Sequence, residues 1–88
     1  MDKKKALITN SAVIGDALRK DRKMRKLTQQ ALGLKANVDR RTVLAAEAGK
    51  NVGLHEFIRM ANSLGLDVVL RPMQSISFEE AGEFFKEE

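Results

Sequence analysis

Residues 27–43 read Leu27-Thr28-Gln29-Gln30-Ala31-Leu32-Gly33-Leu34-Lys35-Ala36-Asn37-Val38-Asp39-Arg40-Arg41-Thr42-Val43, and the stretch divides at Asn37-Val38-Asp39. Before the division, Thr28 supplies an N-cap oxygen and Leu32 an inward apolar position, which predicts a short helix ending near Ala36. Asparagine tolerates the left-handed backbone, so a sharp turn at Asn37 costs little. After it, Val38 points inward, Asp39 is a good N-cap, and Arg40 to Ala48 form a second short helix with Val43 and Ala46 as its apolar positions. Gly49 stops that helix.

Outward from this pair, the cluster Thr9-Asn10-Ser11 offers N-cap oxygens. Ile14, Leu18 and Arg22 then recur every four residues on one face of a helix running to about Lys23. Leu7 and Ile8 before it read as a short strand or as a staple onto that helix. Downstream, Leu54, Phe57, Ile58, Ala61 and Leu64 have helical spacing, and Gly65 stands where a terminating glycine belongs. Leu66-Asp67-Val68-Val69-Leu70 is apolar and β-branched and closes at Pro72, which predicts one short strand. A lone strand needs a partner, either residues 5–9 or the same strand of a second chain. The last segment, Ser75 to Phe85, has the pattern of an acidic amphipathic helix. Ser77 and Glu80 stand at capping-box spacing, and Phe78, Ala81 and Phe85 share a face.

Composition narrows the function classes. With 88 residues there is room for one core, and with no cysteine there is no disulfide, thiolate nucleophile or cysteine-ligated zinc. His55 is the single histidine, and beside Glu56 on a helix it reads as an exposed residue rather than a ligand or base. Met24, Met60 and Met73 read as gap-fillers. No nucleophile–base set, phosphate-cradling glycine loop or paired catalytic carboxylates are present, so no enzyme, cofactor or metal is expected. The basic start is followed by an apolar run too short for a signal sequence, and a cytoplasmic, soluble protein is expected. Charge is distributed unevenly: residues 1–50 carry 13 Lys/Arg against 5 Asp/Glu, and residues 51–88 carry 3 against 7.

Two short helices about a tight turn inside a basic helical unit form a helix-turn-helix arrangement, whose second helix enters the DNA major groove. The residues Leu27-Thr28-Gln29-Gln30-Ala31-Leu32-Gly33, Val38-Asp39-Arg40-Arg41-Thr42-Val43 and Glu47-Ala48-Gly49-Lys50 resemble the pattern of the lambda-repressor/Cro-like (XRE-type) family. In that family the pattern runs Leu-Thr-Gln-x-x-Leu-Ala, Val-Ser-x-x-Thr-Ile, Glu-x-Gly-Lys. The likeness covers about residues 14–66. Gly33 stands for the usual alanine, Asn37 for the usual turn glycine and Asp39 for the usual serine or threonine; the last adds a negative charge near phosphates.

The resemblance implies an all-α, lambda-repressor-like bundle of four to five helices, with one short β-strand after the last core helix. It also implies roles for particular residues. Arg40 and Arg41 open the recognition helix, where arginine is the best bidentate donor to guanine O6/N7; otherwise they clamp phosphates or are solvated. Thr42, Leu44 and Ala45 follow, the last two as thymine-methyl contacts or as packing residues. Thr28 and Gln29 begin the preceding helix, whose free N–H groups suit a phosphate, and Lys50 and Asn51 are expected at another. Arg22 and Glu47 hold positions that pair in some members, aiming the guanidinium at the DNA backbone or else forming a weak surface pair.

Residues 63–72 resemble the end of HipB-type antitoxins, in which this strand pairs with its dyad mate. That implies a homodimer through Val68, Val69 and Leu70, reading a palindromic double-stranded operator. The chain accordingly divides into an N-terminal arm (1–10), a DNA-binding domain (11–66), a dimerisation strand (67–72) and an acidic tail (73–88). The expected function is an autoregulating repressor, the antitoxin of a type II toxin–antitoxin pair, with Phe78, Phe84 and Phe85 of the tail as the toxin contact. The alternative is a stand-alone phage, plasmid or restriction–modification regulator with no toxin.

Overall fold

The computed structural model describes residues 9–73. Four helices follow one another: α1 Ser11–Met24, α2 Gln29–Ala36, α3 Arg40–Glu47 and α4 Leu54–Ser63. The capping oxygens set where two of them begin. The Asn10 side chain accepts from the Val13 N–H at 2.9 Å, and Thr28 Oγ1 accepts from the Ala31 N–H at 3.0 Å. Asp39 occupies the cap position of α3 but makes no side-chain bond there. That helix runs to Glu47, one residue short of the expected end.

All four helices end in the same way. A residue with positive φ follows each one: Lys26, Asn37, Gly49 and Gly65. The N–H of the next residue then reaches back five positions, Leu27 to the Arg22 carbonyl, Val38 to Gly33, Lys50 to Ala45 and Leu66 to Ala61, at 2.9–3.2 Å. These are Schellman closures, which satisfy carbonyls that the helix leaves unpaired. Three of those following residues, Leu27, Val38 and Leu66, pack against the core. Each stop signal therefore also turns an apolar side chain inward.

The core is built from Leu18, Leu32, Ala36, Val43, Ala46, Met60 and Leu64. Leu32, Val43, Met60 and Leu64 are wholly buried, and burying each such side chain is worth about 1.5–3 kcal/mol. The inward stripe of α4 sits later in the helix than its spacing suggested: Met60 and Ala61 are buried, whereas Leu54 is 71% exposed. Ile14 is also largely on the surface, and Met24 and Met73 are exposed rather than filling gaps. His55 is exposed.

The expected strand at residues 66–70 does not form. Among the described residues there is no β-strand at all, and Val68, Val69 and Leu70 are exposed. A strand exists only through hydrogen bonds to a neighbouring strand, and no described segment supplies one. The expected partner at residues 5–9 lies mostly outside the described residues, as do the acidic helix with Phe78, Phe84 and Phe85 and hence any fifth helix. No helix among the described residues is long and apolar enough to cross a membrane.

Candidate nucleic-acid interface

Helix α3 is sorted by its own periodicity into two faces. Val43, Ala46 and Glu47 are buried, while Arg40, Arg41 and Leu44 are exposed and Thr42 and Ala45 half-exposed. Thus all five residues expected at base edges lie off the buried face. Arg41, Thr42 and Ala45 line one cleft together with Asn51, and Arg40, Arg41 and Leu44 line a smaller one beside it. Asp39 lines both, and Glu56 enters the first. These carboxylates would oppose a phosphate placed directly beside them.

The seat of α3 is fixed by two close backbone approaches. A Cβ on Gly15 would collide with the carbonyl oxygens of Ala46 and Glu47 and with the Gly49 nitrogen, so α1 crosses the end of α3 with no room for a side chain. A Cβ on Gly33 would lie 2.8 Å from the Val38 carbonyl oxygen, so α2 approaches the turn too closely for a side chain there. The turn is further tied from α4. Arg59 Nε donates to the Ala36 carbonyl at 3.0 Å and its Nη2 to the Asn37 carbonyl at 3.1 Å. A cation at these carbonyls also answers the negative end of the α2 dipole.

Behind the exposed face lies a buried polar cluster. Arg22 Nε donates to Glu47 Oε2 at 2.5 Å and Nη2 to Oε1 at 3.0 Å, while Nη1 donates to the Leu27 carbonyl at 2.7 Å. Both side chains are less than a tenth exposed. Gln29 Nε2 adds a bond to Glu47 Oε1 at 3.2 Å. The cluster joins α1, the start of α2 and the end of α3, so it fixes their mutual angle. Its geometry spends the Arg22 guanidinium on orientation, facing inward, and draws the Gln29 amide the same way. Thr28 Oγ1 accepts the cap bond and keeps its O–H free to donate. A phosphate at the start of α2 would meet the Thr28 hydroxyl and the free backbone N–H groups of the first turn. Lys50 and Asn51 stand exposed just beyond α3.

Two of these groups are invisible to local sequence patterns. Arg59 is separated from its carbonyl partners by more than 20 residues, and no local signal could have found it. The start of α2 alone suggests an outward Gln29, and only the long-range position of Glu47 turns it in.

A helix-turn-helix family model matches residues 18–70, more than half of the chain. The chain belongs to the helix-turn-helix family. The match is to the XRE/lambda-repressor-like type, whose members are sequence-specific DNA-binding transcription regulators. It spans the turn, the recognition helix and α4 of this helix-turn-helix protein. No curated protein matches the chain.

Proposed function

We propose that the protein is a homodimeric repressor that reads a palindromic double-stranded operator with the outward face of α3. The observation that carries this reading is the sorting of α3: Arg40, Arg41 and Leu44 are exposed while a buried Arg22–Glu47–Gln29 cluster holds the helix from behind. Arg41 and Arg40 serve as guanine donors, Thr42, Leu44 and Ala45 as thymine or sugar contacts. Lys50, Asn51 and the α2 N-terminus serve as phosphate contacts. A dimer follows from half-site arithmetic, since one module reads only half a palindrome. Val69 and Leu70, 74% and 99% exposed in one chain, are its proposed seam.

The finer assignment is an autoregulating antitoxin of a type II toxin–antitoxin pair. It is supported by the HipB-like run at residues 63–72 and by the acidic segment that carries Phe78, Phe84 and Phe85.

The experiment is operator selection followed by titration of variants. Arg41→Ala is expected to cost about 1–3 kcal/mol at one base pair per half-site and to relax preference there. Retention of affinity and base preference after replacing both Arg40 and Arg41 would overturn the assignment of the recognition face. For the antitoxin role, co-expression with the product of the neighbouring reading frame should relieve a growth arrest. A neighbour that is harmless when expressed alone leaves a stand-alone regulator.

A further inference from the structure

Next to the arginine cleft, and sharing Asn51 and Val52 with it, an apolar groove of about 420 Å³ runs between the start of α1, the loop after α3 and the start of α4. Ile14, Leu54, Phe57 and Val68 line it, and Lys50 and Asn51 stand at its edge. Three of these apolar side chains are substantially exposed: Ile14 at 40%, Leu54 at 71% and Val68 at 45%. A grouped apolar surface of this kind marks a contact site.

We infer that the groove is the docking site of this chain's own segment 74–88, and that the docked segment holds its carboxylates over Lys50 and Asn51, screening them from DNA phosphate. The inference deepens the DNA-binding reading and rests on it. Three observations select this occupant. The chain itself enters the groove at Val68, and Phe78 is only ten residues further on, a reach of at most about 36 Å. Apolar content matches, since three of the four phenylalanines lie at 78, 84 and 85, and the fourth, Phe57, lines the groove. Charge is complementary: residues 74–88 carry 5 Glu against 1 Lys, whereas residues 9–73 carry 12 Lys/Arg against 6 Asp/Glu. The start of the chain is excluded as occupant by the same criterion, because Lys3, Lys4 and Lys5 would meet a basic body.

The chain has no cysteine, so Ser77→Cys in the full-length protein takes a single nitroxide label. The expected result is paramagnetic broadening of the Ile14, Leu54 and Val68 methyl signals, with Leu34, exposed on α2, unaffected. The double variant Phe78→Ser/Phe85→Ser should abolish that broadening, and so should Leu54→Ser in the groove. With a random-sequence 25-base-pair duplex as probe, the double variant should bind about threefold to tenfold more tightly at low salt. Its salt slope should steepen by about 0.9 for each further phosphate it neutralises. Absence of broadening at the groove overturns the docking. Broadening that also appears when a nitroxide-bearing, isotopically silent chain is mixed with a nitroxide-free, isotopically labelled one means that a second copy's tail occupies the groove, which overturns the intramolecular form. Broadening with unchanged duplex affinity overturns the screening. The magnetic measurement contains no DNA, so a protein that binds no duplex in any variant refutes the DNA-binding reading without touching the docking result.

Discussion

The turn after α2 and the segment after α4 begin alike and end differently. Each leaves its helix through a residue with positive φ, Asn37 or Gly65, and each then places an apolar residue, Val38 or Leu66, on the core. From there the turn is closed by its own chain. Gly33 and Val38 touch backbone to backbone, Arg59 ties the carbonyls, and the Thr42 and Val43 N–H groups donate to the Asp39 carbonyl. Residues 67–73 have no comparable tie among the described residues, and Leu70 is 99% exposed. Similar helix endings thus yield a fixed element where the partners lie in the same chain. Where they do not, a strand-forming sequence remains a strand only in composition.

If the recognition unit is closed from within, its largest vulnerability is the buried cluster behind α3. Glu47→Ala strands the Arg22 charge at a site less than a tenth exposed, and is expected to cost about 3–5 kcal/mol in urea unfolding. The double replacement Arg22→Met/Glu47→Leu removes both charges and should recover most of that loss. A loss below about 1 kcal/mol for the single variant would mean that the pair is solvated as a surface pair is, and the contrast between the two regions would weaken.

Next in size is Gly15→Ala. The added methyl meets backbone atoms of Ala46, Glu47 and Gly49, none of which can rotate away, and overpacking of this kind costs about 1–3 kcal/mol. Thermal unfolding reads the loss, and operator titration of the still-folded protein should show weaker binding because α3 is displaced. Equal affinity for DNA after a loss of stability would show that the α1–α3 approach serves the fold alone.

How much of this was legible depends on how far each signal lies from its partner. The helix starts at Asn10 and Thr28, the left-handed Asn37 and the stops at Gly49 and Gly65 are local events, and the residue types alone reveal them. Lys26 makes the same left-handed stop with a side chain that carries no signal for it, so the end of α1 could be placed only approximately. The helical repeat found the outward face of α3. It misjudged Leu54, because a stripe at the start of a helix is buried only if another element covers it. Inward Gln29 and the Arg59 tie depend on residues 18 and more than 20 positions away, and sequence spacing is blind to both.

Arg59 offers a smaller test of the same closure. Arg59→Met keeps an apolar stem against the bundle but removes both donors to the α2 end, and about 1–2 kcal/mol should be lost. Amide exchange should accelerate chiefly in α2 and the turn. Uniform acceleration through all four helices would show that Arg59 supports the whole core rather than the turn.

The smallest effect on the fold is expected at the open region. Val69→Ser/Leu70→Ser replaces two exposed side chains, and in dilute solution it should leave stability within about 0.5 kcal/mol of the wild type. The informative quantity is the dependence on concentration. If a second copy covers this segment, association binds the folded state only, so the wild-type melting temperature must rise with protein concentration. The variant, having lost the apolar seam, should melt at one temperature throughout and scatter light as a monomer. A wild-type melting temperature independent of concentration would leave residues 67–73 without a partner and remove the homodimer, and with it the reason to expect two half-sites in the operator.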